Sequence, residues 1–300
     1  MNAFFSLIKY FIKLLIIIIS CILISILIKI DVSRILDKNS SLAQDVKQNS
    51  ILIRKGNING VPIAIPKNYF YFPFAYHDKS IWEPTKPGDK KPEERTFEDG
   101  VSSFAIYVHW PDMQPVNAEN TKSYWDSRSS DREHSWLLIG LDESLATNPR
   151  PPQTPENGLA RNLKGIIKRL PENSVAPKYK KDDSNSAGAY YVLQGTDQVI
   201  GLQWAEPVGS GIEKFEIWNK LLYWQGNMDG IVTDLIRCYN GRLPNPVFYH
   251  KCIHRFEFPE WSSYVSLEYP RSWLPQWREL KEKARDLLLT FAVTPENTSK

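Results

Sequence analysis

The first 30 residues constrain everything that follows. Leu14–Ile28 reads LLIIIISCILISILI without a charge, and apolar residues extend back to Phe4. A helix rising about 1.5 Å per residue needs about 20 apolar residues to cross a bilayer. Phe4–Ile30 is long enough when Lys9, Lys13 and Lys29 lay their alkyl stems along the apolar surface and hold their ammonium groups at the headgroups. Positive flanks stay cytoplasmic, so Lys9 and Lys13 ahead of the core predict export of the rest of the chain. On the far flank Lys29 and Arg34 are offset by Asp31 and Asp37. No small-x-small cleavage site follows the core, so residues 1–30 are expected to remain as one transmembrane signal-anchor. Ile18-Ile19-Ser20-Cys21 loosely resembles a lipoprotein box, which leaves lipidation of Cys21 as an alternative. The run continues from Ile22 to Ile28, however, where a mature lipoprotein turns polar.

Removing the three lysines of this segment leaves 34 basic residues of the original 37, against 34 acidic ones. The exported part is therefore neutral. That argues against a nucleic-acid binder and against a polybasic membrane-surface binder. Ten tryptophans and 12% aromatic residues supply a large apolar payload, so this part is expected to fold. Twenty-one prolines argue against a helical bundle.

Residues 31–50 read as a polar linker or stalk and 294–300 as a tail. Between them, 51–293 reads as a β-rich α+β ectodomain with antiparallel hairpins and a C-terminal helix, divisible into two sub-lobes near 145–190. Asn59-Gly60 between two apolar runs predicts a hairpin. Strands are expected at Ser102–Trp110, Trp136–Leu141, Tyr190–Leu193, Val199–Trp204, Phe215–Trp224, Ile231–Cys238, Val247–Phe258 and Tyr264–Tyr269. Residues 111–133 read as a polar connection. Leu280, Ala284, Leu287, Leu288 and Phe291 share one helical face within Leu274–Phe291. Charged or Pro-rich loops are expected at 83–99, 147–157 and 172–187.

Outside the anchor only Cys238 and Cys252 remain, flanking a turn region with Gly241, Pro244 and Pro246. In an oxidising compartment they are expected to form a disulfide. His250, Cys252 and His254 would share one strand face and could bind zinc, but only with Cys252 as a free thiolate. The plainer reading is a strand bearing two exposed histidines. No nucleophile elbow, phosphate loop, dinucleotide fingerprint or HExxH motif is present, so neither an enzyme nor a cofactor is expected. Carboxylate pairs such as Glu93-Glu94 and Asp182-Asp183 read as solvated loops. Trp204, Trp218, Trp224 and Trp261 read as core.

A set of motifs runs in order along the chain: Ile58–Pro66 (INGVPIAIP), Arg95-Thr96 with Ser103-Phe104, and Tyr107-x-x-Trp110-Pro111-Asp112-Met113. Arg237-Cys238, Pro244-Asn245-Pro246, Cys252-x-His254, Phe256-Glu257-Phe258, Tyr269-Pro270-Arg271 and Leu274-Pro275-x-Trp277-Arg278 follow. The set resembles the Tli-type immunity proteins found with type VI secretion phospholipase effectors of Gram-negative bacteria, over roughly residues 56–293. The resemblance implies an inner-membrane protein with its C-terminal domain in the periplasm, whose partner is a secreted phospholipase and which has no catalytic residues. Partner contacts are expected in the long loops, at Trp82, Glu93, Glu94, Tyr179, Asp182 and Asp183. The alternatives are an accessory protein for effector loading and an envelope hydrolase.

Overall fold

The computed structural model describes residues 52–78, 95–129, 134–143, 155–169, 175, 189–210, 219–240 and 250–293. The expected anchor, stalk and tail lie outside them. Among the described residues no helix is long and apolar enough to cross a membrane.

β1 (Ile53–Ile58) and β2 (Val61–Pro66) form the hairpin that Asn59-Gly60 predicts. Both turn residues have positive φ, +49° and +89°, the conformation a two-residue hairpin turn requires. The Asn59 side chain also donates to the carbonyls of Trp261 and Ser262 and to Ser263 Oγ, at 3.0–3.2 Å. One amide thus fastens this turn to another about 200 residues away.

Ten further strands form a single sheet. They are β3 (Phe70–Tyr76), β4 (Val101–His109), β5 (Trp136–Asp142), β6 (Lys168–Arg169), β7 (Tyr190–Thr196), β8 (Gln203–Val208), β9 (Lys220–Gly226), β10 (Val232–Tyr239), β11 (Lys251–Phe258) and β12 (Ser263–Pro270). Their order is β3-β4-β5-β12-β11-β10-β9-β8-β7-β6. All neighbours are antiparallel except β6 and β7. β12 lies between β5 and β11, so the last strand joins the early strands to the late ones.

Strand alternation divides the sheet into two faces. β11 and β12 bury every second residue, and Cys252, His254, Phe256, Phe258, Val265, Leu267 and Tyr269 point one way. Residues of β4, β5, β9 and β10 join them in the main core. Helix α3 (Trp277–Thr290) closes this face with Trp277, Leu280, Ala284 and Leu288, after a 3-10 turn at Arg271–Gln276. Beyond α3 the chain pairs with β2. Ala64 N–H donates to the Phe291 carbonyl and Val293 N–H to that of Pro62, each at 2.9 Å. The β1–β2 hairpin is thereby clasped to the core.

Two short helices lie on the opposite face. α1 is Thr121–Ser129, within the stretch that reads as a polar connection. TKSYWDSRS has no apolar stripe, and the fold anchors it through individual aromatics. Tyr124 packs on Tyr107 and Trp136, and Trp136 Nε1 donates to Ser123 Oγ at 3.0 Å. α2 is Gly158–Ile166, and its Leu159, Ala160 and Leu163 pack over β9 and β10. Its N-cap, Asn157, accepts from Ala160 N–H and Val232 N–H and donates to the Val232 carbonyl and Glu257 Oε1.

Cys238 and Cys252 stand directly opposite each other on β10 and β11 and form the expected disulfide, with Cα atoms 4.1 Å apart. The bond closes a loop with a sequence separation of 14. In the chain-entropy account, closing such a loop contributes about 3 kcal/mol. Replacing both cysteines by alanine is expected to cost about that amount, read as a lower urea midpoint.

Candidate partner-binding surface

Of the residues expected from the sequence to act, the two cysteines and the candidate ligands His250 and His254 fall among the described residues. Trp82, Glu93, Glu94, Tyr179, Asp182 and Asp183 lie outside them. The zinc reading is corrected: Cys252 is in a disulfide and cannot ligate as a thiolate. Among the described residues no group of three His, Cys, Asp or Glu could hold a metal. The expectation of two exposed histidines is corrected too. Alternation places His254 beside Cys252 on the core face, where it is fully buried. Trp224 and Trp261 are buried as expected, Trp204 is half-buried, and Trp218 lies outside the described residues.

His254 belongs to an ionic cluster inside the core. Its Nε2 lies 2.8 Å from Asp234 Oδ1, and Lys281 Nζ on α3 donates to both oxygens of that carboxylate at 2.8 and 3.0 Å. Asp234 and His254 are 0% exposed, and Lys281 is the member of the cluster nearest the surface. Burial pushes the Asp234 carboxyl up, but the His254 hydrogen bond and the Lys281 charge outweigh it and hold it at about 2. Burial pushes His254 down, and Lys281 adds to that against the pull of Asp234. His254 Nδ1 is buried without a partner. A neutral ring with its proton on Nε2 satisfies this geometry, because an imidazolium would bury an unmet N–H. Lys281 is then the counter-ion of Asp234.

The opposite face is half-buried where α1 and α2 leave it. α1 lies over β4 and β5, and α2 over β9 and β10. Between them β11 and β12 present Lys251, Ile253, Arg255, Ser266 and Glu268, all half-buried. One cross-strand row reads Leu222, Arg237, Ile253, Glu268, Leu138, and the next reads Trp224, Leu235, Arg255, Ser266, Gly140, Ala105. The floor is low at Gly140, where a Cβ would meet Ser266 Oγ at 2.7 Å. Lys251 pairs with Glu268 at 2.7 Å, and Arg255 with Asp142 at 3.2 Å. These half-exposed pairs contribute about 0–1 kcal/mol each, so they hold the cations in place more than they stabilise the fold. Arg237 is half-buried beside them, and burial together with the Arg255 charge lowers its pKa. Sequence reasoning missed this face. The alternation of KCIHRFEF does put Lys251, Arg255 and Glu257 on one side, but the partners come from β5, β10 and β12, whose register the sequence does not display.

In structure the chain is similar to Smlt3025, an immunity protein of the Stenotrophomonas maltophilia type IV secretion system. The TM-score is 0.43 and the identity 15%, over 81% of this chain and 94% of that one. It is also similar to FrpD, an iron-regulated outer membrane lipoprotein of Neisseria meningitidis, with a TM-score of 0.36 and 14% identity over the same shares. At these scores neither description transfers to this chain. No protein-family model matches it, and no curated protein matches it by sequence.

The core cluster sets a pH dependence. His254 is depressed, so its contribution is fully present above 6.5. As the pH falls below 6.5, the unfolded chain takes up a proton that the folded one refuses, and stability is lost. Asp234 is depressed as well; its contribution is present above 3.8 and is lost as the pH falls toward about 2. His254→Gln keeps a donor toward Asp234 without a titrating ring. Thermal unfolding from pH 7.5 to 5 should show a smaller loss in this variant than in the wild type, with His250 still titrating in both. Lys281→Met, which strands the carboxylate, is expected to cost about 3–5 kcal/mol in urea denaturation.

Proposed function

We propose that the chain is a membrane-tethered periplasmic immunity protein that binds and blocks a phospholipase effector of the type VI secretion class. The observation that carries this reading is where the motifs of the resemblance fall. Asn59 of the first motif bonds to the 261–263 turn, Arg237-Cys238 is bonded through its cysteine to Cys252, and Arg271 donates to the Tyr239 carbonyl at 3.0 Å. Leu274 and Trp277 of the last motif are buried in the main core. Segments scattered over more than 200 residues thus form one framework, and the face between α1 and α2 is left for recognition.

Such an inhibitor acts by occupancy and needs no turnover. Tethering at the membrane face where the enzyme attacks raises its effective concentration there, so moderate intrinsic affinity suffices. The apolar run at Phe4–Ile30 supplies that tether in this reading.

Two measurements test the proposal. A reporter active only in the periplasm, fused after Lys300, is expected to be active; a cytoplasmic C-terminus rejects the reading. Co-expression with a type VI phospholipase effector directed to the periplasm is expected to protect cells, and the purified chain to abolish its hydrolysis of phospholipid vesicles. Cell death despite co-expression sinks the immunity role.

A further inference from the structure

The β3 edge of the sheet carries large apolar side chains that the core does not take up. Leu52, Ile53 and Phe72 are 45–55% exposed, and Trp125 on α1 and Leu289 near the end of α3 about 40%. Contacts tie these five positions into one rim. The Leu52 carbonyl accepts from Lys67 N–H at 2.7 Å, in the 3-10 turn Lys67–Tyr69 that leads into β3. Asn68 of that turn donates to the Val116 carbonyl at 3.1 Å, and Val116 packs with Tyr107 and Tyr124 beneath α1. The Tyr71 ring lies 4.6 Å from Phe72 and 5.3 Å from Tyr107, and Tyr124 lies 5.2 Å from Trp125. Tyr69 meets Phe291 edge-on at 5.0 Å, which brings the end of α3, with Leu289, to the same turn.

We propose that this rim rests on the lipid surface to which the chain is tethered, with Ile53, Phe72 and Trp125 at the boundary between headgroups and acyl chains. The proposal rests on the membrane-tethered reading above and adds to it a fixed orientation of the domain. The apolar run Phe4–Ile30 is followed by residues 31–51 alone before Leu52 opens the rim. Whatever path those residues take, each adds at most about 3.6 Å, so Leu52 stays within about 80 Å of Ile30. A surface held that close meets the bilayer at high effective concentration, and a contact too weak for a free protein persists. Aromatic rings suit the boundary, because a large apolar body can enter hydrocarbon while a polar edge stays wet. Arg54, Lys122, Glu119 and Asp126 give the rim exposed charges of both signs, so the contact is apolar and needs no anionic lipid. The face between α1 and α2 begins at the helix that carries Trp125, so a seated rim sets that face beside the surface on which a phospholipase works.

The test uses the full chain with Cys21→Ala, reconstituted in phosphatidylcholine vesicles with or without brominated acyl chains. A polarity-sensitive fluorophore is placed singly at Ile53→Cys, Phe72→Cys, Leu289→Cys or, as a control between β7 and β8, Val199→Cys. A label carried about 5–10 Å into the boundary is expected to lose about half its emission or more to the bromines, at the three rim positions and not at Val199. In the double variant Ile53→Asp/Phe72→Asp the label at Leu289 should lose that quenching. The double variant should unfold in detergent at the wild-type temperature, because both side chains are exposed. Quenching at Ile53 without Phe72 and Leu289 reports the nearby tether alone and overturns the proposal. Equal quenching at Val199 overturns it as well, and so does a double variant that unfolds several degrees lower. Emission that shifts to the blue with rising chain-to-lipid ratio but ignores the bromines assigns the rim to a second copy or another protein and rejects the lipid. Chain that fails to float with the vesicles defeats the tethered reading and the proposal together, whereas floating chain with unquenched rim labels defeats the proposal alone.

Discussion

The Asp234 carboxylate has to be neutralised inside the main core, and three separate elements meet to do it. Asp234 lies on β10 just after a break in register with β9, His254 comes from β11 and Lys281 from α3. A buried charge with one partner removed is far less favourable than the intact set, so the helix has essentially one allowed seat on the sheet. Apolar contacts alone would tolerate a shift of α3 by a turn; the Lys281–Asp234 bond does not. Lys281 falls on the helical stripe with Trp277, Ala284 and Leu288, so one amphipathic surface supplies both the apolar packing and the ionic register pin.

That pin sets the difference between the two faces of the sheet. On one, α3 and the clasped β1–β2 hairpin complete a continuous core. On the other, α1 and α2 cover separate ends, each held by a local device: the Tyr107–Tyr124–Trp136 stack for α1 and the Asn157 cap for α2. Between them the ion pairs Lys251–Glu268 and Arg255–Asp142 alternate with Ile253, Ser266 and Gly140. Gly140 cannot take a side chain without displacing Ser266, so the low floor there is enforced by cross-strand contact.

Much of this was legible in the sequence because it is local. Asn59-Gly60 required a hairpin, alternation in 101–109 and 251–270 required strands, and the stripe on the last helix required a sheet beneath it. The disulfide followed from there being two cysteines around one turn. What was not legible depends on long-range register. TKSYWDSRS carries no periodic signal, and only the rings of Tyr107 and Trp136 make it a helix worth forming. His254 reads as a polar residue on a strand until Asp234 and Lys281 are seen across from it. Arg237 reads as one basic residue among 37, and only the register of β10 against β11 places it diagonal to Lys251 and Arg255.

The charge distribution explains why such a detail carries weight. Beyond residue 30 the chain has equal numbers of basic and acidic residues, so it projects little net field over long distances. Its long-range electrostatic steering of a partner is correspondingly weak. Discrimination in such a protein falls to short-range geometry, where a fixed donor fork meets a fixed acceptor and a wrong partner leaves a desolvated charge unmet. On the face between α1 and α2, Glu268 and Asp142 hold Lys251 and Arg255 in place, so the donors there are fixed.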